Sequence, residues 1–123
     1  MQVQKQAGLK MNIKRGDILL VDFNPVKGSE QGKIRPAVAV QNDVGNKYST
    51  TTIITALTTA KEKPYPFTVN ISVKESGLQR HSTINLSQIM TIDKTRLTEK
   101  CGELSEAKMA EVNEAIKASL GIE

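Results

Sequence analysis

Residues 24–36 combine hydroxyl, amide, carboxylate and cationic side chains in one polar stretch, Asn-Pro-Val-Lys-Gly-Ser-Glu-Gln-Gly-Lys-Ile-Arg-Pro. Its two glycines would let backbone amides approach a ligand closely, because glycine has no Cβ. The mixture suits an anionic, hydrogen-bonding substrate. A solvated surface loop is the alternative interpretation of the stretch taken alone. The candidate groups are Ser29, Glu30 and Gln31 for hydrogen bonding and proton transfer, and Lys27, Lys33 and Arg35 for charge.

Arg35 is the candidate for binding the charge of a phosphate. A guanidinium stays protonated at any ordinary pH and can contact two phosphate oxygens at once, so it could stabilise negative charge in a transition state. Pro36 biases the backbone of Arg35 towards an extended conformation. Thr58 closes a later strand-like run and could add a hydroxyl if the two strands pair. The simpler interpretations are a strand-end charge for Arg35 and β propensity for Thr58.

Histidine and cysteine chemistry has little support. His81 is the only histidine and Cys101 the only cysteine, so neither a Ser-His-Asp triad nor a zinc site of soft ligands can be assumed. His81 lies in the polar stretch Gln-Arg-His-Ser, and a surface position is its commoner role.

A magnesium site is conceivable but is the weaker hypothesis. Two of the candidate carboxylates, Asp17 and Asp22, are five residues apart on one expected strand, so they would point to opposite faces unless a bulge intervenes. We therefore expect no metal and no other cofactor. The candidate ligands would be Asp17, Asp22, Glu30 and Asp43.

The polar stretch lies between two apolar, strand-like runs, 17–23 and 37–42, so it is predicted to be one long hairpin connection. Such connections usually need only a few residues, so thirteen suggests a function. Further strands are expected at 51–58 and at 67–74, where alternation would bury Phe67, Val69, Ile71 and Val73 on one face. The runs 83–86 and 88–92 are close enough to form one bent strand, followed by a helical turn over 93–96.

Only the C-terminal segment has a sustained helical period. Ser105 is a suitable N-cap, Gly121 a suitable residue to end the helix, and the apolar stripe comprises Met109, Val112, Ile116 and Leu120. Five or more short strands followed by one helix predict a mainly β protein with helices, in the form of a small, strongly bent β-barrel closed by the C-terminal helix.

The composition fits one small globular domain. The chain has 123 residues, of which 38% are hydrophobic and 24% charged. It shows no apolar run near the length of a membrane span and no secretory signal, and its single cysteine fits a reducing compartment, so a cytoplasmic protein is expected. Residues 1–10 lack any pattern and precede a second methionine. They are expected to be a disordered leader or a cloning remnant before a domain of residues 11–123.

The excess positive charge lies in the N-terminal third. Residues 1–36 hold seven basic and three acidic residues, whereas the remaining 87 hold ten of each. This distribution is the one expected if a polyanion binds there. By itself it is only a weak indication of nucleic acid, since two of the lysines belong to the expected leader.

Several motifs, in order and spacing, resemble those of the MazF/PemK family of toxins, and the resemblance covers Met11 to the end. Gly-Ser-Glu-Gln-Gly at 28–32 followed by Arg-Pro at 35–36 is the most specific of them. The others are Lys-Arg-Gly-Asp at 14–17, Val-Asp-Phe-Asn-Pro at 21–25, Val-Gln-Asn-Asp at 40–43, Ile-Thr-Ala-Leu-Thr at 54–58, Gly-Leu at 77–78, Ser82 and the run 88–97.

The resemblance implies an SH3-like barrel that forms a homodimer and acts as a metal-independent endoribonuclease on single-stranded RNA. In such an enzyme a 2′-hydroxyl attacks the adjacent phosphate, and a small antitoxin covers the RNA groove. The resemblance assigns the catalytic arginine to Arg35 and the catalytic threonine to Thr58, with Glu30 as an acidic residue important in some members. The residues expected to contact RNA are Ser29, Gln31, Lys33, Asn42, His81, Ser82 and Gln88.

Two positions depart from the family pattern. His81 and Met90 stand where related toxins carry Asp and Arg. Both flank the region expected to read bases, so the recognised RNA sequence cannot be carried over from relatives.

Two other functions are alternatives. CcdB-like toxins share the fold but poison a topoisomerase without catalysis, and they depend on a tryptophan near the C-terminus, whereas this chain has none. A peptide-binding barrel would need an aromatic groove, which a chain with 3% aromatic residues and a long basic loop supplies poorly.

Overall fold

The computed structural model of the protein describes residues 12–25, 33–59 and 64–123. The expected leader lies outside these ranges, as do Ser29, Glu30 and Gln31. The described strands are β1 (Asp17–Asp22), β2 (Ile34–Ala39), β3 (Thr51–Thr58), β4 (Thr68–Ile71), β5 (Ser82–Asp93) and β6 (Leu97–Glu103). The described helices are α1 (Asp43–Tyr48), α2 (Val73–Ser76) and α3 (Glu106–Leu120), with a 3-10 turn at Lys94–Arg96.

The strands form one antiparallel sheet in the order β4-β5-β3-β2-β1-β6. Its two edges are brought together through α2, which follows edge strand β4 and packs on edge strand β6. A Cβ on Gly77 would lie 2.7 Å from the carbonyl oxygen of Cys101, and one on Gly102 would lie 2.6 Å from that of Ser76. These glycines therefore permit the close approach that curls the sheet into the predicted bent barrel.

The ribbon of β1 and β2 is longer than the sequence predicts. Asp22 pairs with Ile34, and the Phe23 amide donates to the Lys33 carbonyl over 2.8 Å. β2 thus begins three residues earlier than expected, and the predicted connection of residues 24–36 is too long at its C-terminal end. Pairing with β1 extends the strand into a segment whose own sequence has no alternating pattern.

Helix α1 occupies the polar turn that follows the second predicted strand, 37–42, and β2 itself ends at Ala39. Asn42 is its N-cap, and its Oδ1 accepts from a backbone amide three residues later over 2.7 Å. Asn46 is buried in α1 and accepts the Thr52 hydroxyl over 2.7 Å, and the Lys94 ammonium donates to the Asn46 carbonyl. These polar contacts dock α1 on β3 and on the 3-10 turn.

β4 ends at Ile71, before the end of the predicted strand 67–74, because a capping box follows it. The Glu75 amide donates to Ser72 Oγ over 3.2 Å, and the Ser72 amide donates to the Glu75 carboxylate over 2.8 Å. This reciprocal pair starts α2 and turns the chain away from the sheet. Of the four side chains expected on one buried face, Val69 and Ile71 are buried, whereas Phe67 is only half-buried and Val73 is 40% exposed.

β5 is one continuous strand of 12 residues, which confirms that the runs 83–86 and 88–92 belong together. Its ladder with β3 is bulged between Thr55 and Leu57. Apolar side chains are buried on both faces of the sheet. The cluster on the face covered by α3 includes two residues of that helix and comprises Ile18, Val38, Val40, Leu57, Val69, Ile71, Ile84, Leu86, Leu104, Val112 and Ala115. The cluster on the other face comprises Ile13, Leu19, Val21, Ala37, Ala39, Ile54, Ile92 and Leu97.

Helix α3 begins and ends where the sequence predicts. Ser105 accepts the Lys108 amide over 3.1 Å, and Gly121 takes the left-handed conformation with φ 72°. Val112 is fully buried against the sheet, but Leu120 is 60% exposed, so the apolar stripe ends before the last turn. Within the described ranges, no helix is long and apolar enough to cross a membrane.

Candidate functional site

Arg35 and Thr58 lie just beyond the end of the ladder between β2 and β3. The last pair of their ladder joins Ala37 to Ala56. Continued by two residues, the same register places Arg35 opposite Thr58. Alternate residues of a strand share a face, so both side chains lie on the face that carries Ala37 and Ala56. We call this face of the sheet the Arg35 face.

Pro36 explains why the ladder stops before it reaches Arg35. The Val40 amide donates to the Ile53 carbonyl over 2.9 Å, so even-numbered residues along this strand direct their backbone groups towards β3. Position 36 is even, and proline has no N–H to donate. The ladder therefore opens at Pro36, and Arg35 and Thr58 stand at its open end.

The Thr58 hydroxyl is buried and has no hydrogen-bond partner within the described part of the chain. Leaving such a group unpaired costs about 1–3 kcal/mol, so it is uncommon and marks a position worth a functional explanation. Thr55 has the same property, but it lies on the opposite face of β3, three residues away. Thr58 thus carries an unpaired hydroxyl on the Arg35 face.

Two cations lie at the beginning of β2, on the same face as this hydroxyl. Arg35 is exposed, and Lys33, two residues earlier, is exposed and shares its direction from the strand. Across the ranges described, neither side chain forms an ion pair. Positive charge that no acid of the described ranges neutralises suits an incoming phosphate. Glu30, Ser29 and Gln31, which the sequence adds to the site, lie outside the described residues.

The start of β5 lies beside Thr58. Thr58 pairs with Thr83, whose hydroxyl donates to Asn70 over 2.8 Å. Sequence reasoning missed Thr83, since only strand pairing brings it to the site. Ser82 points to the opposite face, is 4% exposed and donates to the Arg80 carbonyl over 3.3 Å. His81 is exposed one residue earlier.

Ser82 also lines a small cavity of about 270 Å³ on that opposite face, with Pro36, Thr59, Leu78, Gln79 and Arg80. The turn that carries His81 therefore lies near the beginning of β2. The structure brings His81 and Ser82 to the same end of the sheet as Arg35, while it gives Ser82 little exposure for contacting RNA.

Gln88 and Met90 occupy the exposed middle of β5. Gln88 lies in the bulge between the Thr55–Ile89 and Leu57–Ile84 pairs, level with Ala56 and therefore close to the open end of the ladder. Met90 pairs with Ile54 on the Arg35 face and is 43% exposed. Gln88 thus lies nearer to Thr58 than Met90 does, because Met90 pairs four residues before Thr58 along β3. Contacts of Gln88 with RNA and a role of Met90 in reading bases stay predictions.

Asn42 is not brought to this end of the sheet. It follows the far end of β2, and four residues of strand separate Arg35 from Ala39, which is about 13 Å. Its carboxamide oxygen is already bonded in the cap of α1. A contact of Asn42 with RNA stays a prediction. It would have to be made by the side-chain NH₂ group, with an RNA strand long enough to extend from Arg35 to the far end of β2.

The carboxylates considered for a metal site make separate contacts. Asp17 accepts the Lys14 amide over 2.9 Å and forms an ion pair with Lys100 at 3.2 Å. Asp22 accepts both the backbone and the side-chain N–H groups of Asn24, over 2.9 and 2.7 Å. Across the described ranges, no three acidic, histidine or cysteine residues are grouped to hold a metal ion.

Asp43 is the third of these carboxylates and belongs to the cap of α1. It accepts the Arg15 amide over 2.7 Å, and this bond is the main reason why its pKa is lowered. The Asn46 side chain and the charges of Lys14 and Arg15 lower the pKa further, while burial opposes them. Asp43 is therefore an ionised structural acid.

The chain is similar to a well-defined family of proteins. The sequence model of the family described as PemK-like, MazF-like toxin of type II toxin-antitoxin system matches residues 14–120. A protein named Endoribonuclease MazF from Staphylococcus epidermidis is 51% identical over 111 residues, which cover 89% of this chain and 92% of that protein. The protein of the same name from Staphylococcus saprophyticus subsp. saprophyticus has the same identity and coverage.

Solved structures share the fold at low sequence identity. An endoribonuclease in complex with its cognate antitoxin from a mycobacterial species has a TM-score of 0.75 and 23% identity, and the match covers 90% of this chain and 97% of that one. MazF from Deinococcus radiodurans has a TM-score of 0.71 and 24% identity, with 92% and 100% covered. At this identity the likeness supports the curled sheet and closing helix, and nothing finer.

Proposed function

The chain belongs to the family of PemK-like, MazF-like toxins of type II toxin-antitoxin systems, and we propose that it is an endoribonuclease that cleaves single-stranded RNA at specific sequences without a metal ion. Relatives that are 51% identical over most of the chain carry the name endoribonuclease, which supports this activity. The observation that supports the chemistry is that Arg35 and Thr58 share a face two residues beyond the last pair of the β2–β3 ladder.

The proposed reaction is an internal phosphoryl transfer within the RNA. The 2′-oxygen forms a bond to phosphorus, the bond from phosphorus to the 5′-oxygen breaks, the 2′-hydroxyl loses its proton and the leaving oxygen gains one. The products are a 2′,3′-cyclic phosphate and a 5′-hydroxyl. Negative charge builds on the nonbridging oxygens, where the Arg35 guanidinium can contact two atoms and the Thr58 hydroxyl can donate once. Glu30 is our candidate for proton transfer.

The remaining site residues would bind and read the RNA. Lys33 supplies charge to a neighbouring phosphate, and such contacts hold the strand without reading its sequence. Base recognition would fall to exposed groups around the pair, which include His81, Gln88 and Met90. The further RNA contacts expected from the sequence are Ser29, Gln31, Asn42 and Ser82.

Two protein partners belong to this proposal. We expect a homodimer, because a second copy would enlarge a small RNA platform about a two-fold axis. We also expect a cognate antitoxin that covers the Arg35 face with acidic and apolar groups, in the cytoplasm where the RNA is. Binding of the antitoxin should stop cleavage, and a bound antitoxin that left cleavage unchanged would contradict the shared site.

The topoisomerase-poison alternative has no support from the comparisons. The family match and the named relatives concern MazF-like proteins. A poison would leave RNA intact under all conditions, which separates the two functions in one assay.

The experiment is to incubate the purified protein with a long single-stranded RNA and to analyse the ends of the fragments. We expect cyclic phosphate and 5′-hydroxyl ends. RNA with a 2′-methoxy group at the cleaved nucleotide should bind but stay intact. A 5′-phosphate end, or cleavage of the blocked RNA, would rule out the proposed reaction.

A further inference from the structure

Arg96 connects the 3-10 turn to the end of β1, which is far away in the sequence. Its Nη1 donates to the Asp22 carbonyl over 3.2 Å and to the Asn24 carbonyl. These partners lie 74 and 72 residues earlier in the sequence. One guanidinium group thus binds two carbonyls on either side of Phe23.

The same few residues are also held by the Asp22 carboxylate. It accepts the backbone and the side-chain N–H groups of Asn24, and the two residues are 8% and 1% exposed. The exit of β1 is therefore bound on its carbonyl side by Arg96 and on its amide side by Asp22. Such a buried, doubly bonded segment has little freedom to shift.

The exit of β1 in turn holds the beginning of β2. Residues 34–36 of β2 pair with β1, through Ile34 to Asp22, Arg35 to Val21 and Pro36 to Leu20. Their ladder with β3 begins only at residue 37, because proline cannot donate there. Among the described strands, β1 is therefore the sole support of the segment that carries the Arg35 guanidinium.

We propose that Arg96 is a positioning residue for cleavage, acting on Arg35 through the paired ends of β1 and β2. The inference rests on the proposed function of Arg35. A group that stabilises transition-state charge must be held to within about half an ångström of its productive position. A displacement of about 1 Å can cost on the order of a hundredfold in rate. Loss of the two carbonyl bonds removes one of the two restraints on the exit of β1, and the resulting displacement is passed to Arg35 through the β1–β2 pairing.

The test is a double-mutant cycle on kcat for cleavage of one short RNA, with single-turnover conditions for slow variants. Arg96→Ala should lower kcat about tenfold or more and change KM about twofold or less, because phosphate contacts elsewhere still bind the strand. In an Arg35→Ala background, Arg96→Ala should have no further effect, because the residue through which it acts is gone. Equal losses in the two backgrounds, or no loss in either, would overturn the inference.

Arg15 offers a matched control at the other end of β2. Its Nε donates to the Val40 carbonyl over 2.8 Å and its Nη2 to Asn113 over 2.7 Å, so it also bonds a backbone carbonyl near a strand end. Arg15→Ala should lower the melting temperature as Arg96→Ala does, yet leave kcat unchanged. A kcat loss from Arg15→Ala equal to that from Arg96→Ala would show a general effect of destabilisation and overturn the positioning role.

Arg96→Lys covers the case in which the alanine variant does not fold. The lysine ammonium can still contact a carbonyl, so Arg96→Lys should fold and should keep more of the wild-type kcat than Arg96→Ala. It can replace Arg96→Ala in the double-mutant cycle with Arg35→Ala. A wild-type protein that leaves RNA intact would overturn the proposed function itself. If the wild type cleaves RNA but the effects of the Arg96 and Arg35 substitutions on kcat add, only the role of Arg96 is overturned.

Discussion

Arg35 and Thr58 stand two residues beyond the last pair of the β2–β3 ladder, in the register that Ala37 and Ala56 set. If the strands stayed together, the two residues would face each other at the spacing of a cross-strand pair. Pro36 opens the ladder just before them, which leaves on one face an exposed guanidinium and a hydroxyl that has no partner among the described residues. The predictions below follow from this arrangement and from the contacts around it.

Arg35→Ala should lower kcat for RNA cleavage by about two to three orders of magnitude, the range seen when one donor to a developing oxyanion is lost. Arg35→Lys keeps the charge but loses the planar fork, so it should recover little. RNA binding should fall much less. Lys74→Ala on α2 is the charge-matched control, and an Arg35→Ala variant with near-normal turnover would remove Arg35 from the mechanism.

Thr58→Val should slow cleavage about tenfold or more without reducing stability, because it replaces an unpaired buried hydroxyl by a methyl group. Thr55→Val is the matched control, since its hydroxyl is also buried and unpaired but lies on the opposite face of β3. Thermal unfolding should respond similarly in the two variants, and kcat should separate them. Equal activity in both would exclude the Thr58 hydroxyl from the reaction.

Cleavage should continue in excess EDTA, because the proposed reaction uses the guanidinium and hydroxyl groups of the chain rather than a metal-bound water. The measurement is the initial rate with and without EDTA at constant ionic strength, since RNA binding depends on salt. Abolition by EDTA and recovery with magnesium would instead direct attention to the carboxylates of Asp22, Glu30 and Asp43.

Asp43→Asn should lower the melting temperature at neutral pH, because the Arg15 amide and nearby positive charges favour the ionised carboxylate. The folded-state pKa is lowered, so this stabilisation is present above the unfolded pKa of about 4 and is lost as the pH falls through the folded pKa. The difference in melting temperature between wild type and variant should thus shrink in acid. Glu99→Gln serves as a control, and a difference that grew as the pH fell would contradict the assignment.

Local patterns predicted most of the strands and the last helix correctly. The alternating residues of β4 and the caps of α3 depend on neighbours a few positions away, so they are visible in the sequence. Two of the errors fall where a short-range polar contact outweighed the apolar pattern, whereas the early start of β2 comes from pairing with β1. The capping box of Ser72 and Glu75 ended β4, and the Asn42 cap started α1, although both signals were present in the sequence.

The candidate site also has properties that the sequence predicts and properties that depend on the fold. The types of its residues, above all the cationic Arg35 beside Pro36 and the hydroxyl of Thr58, are properties of the sequence. Neither the exposure of Gln88 in a bulge nor the burial of Ser82 could be predicted, because both depend on how β5 pairs with β3 and β4.

The sequence alone determined the kinds of chemistry open to this protein, because residue types, charge and local caps do not require distant contacts. The tertiary structure decided which groups meet. Arg35 shares a face with Thr58 because strand register is set by backbone hydrogen bonds and by burial on both sheet faces, and a shift of one residue would reverse every side chain. Arg96 reaches Asp22 and Asn24 because the chain returns to the end of β1 more than seventy residues later. No local pattern encodes such a return, since it arises from packing of the whole sheet.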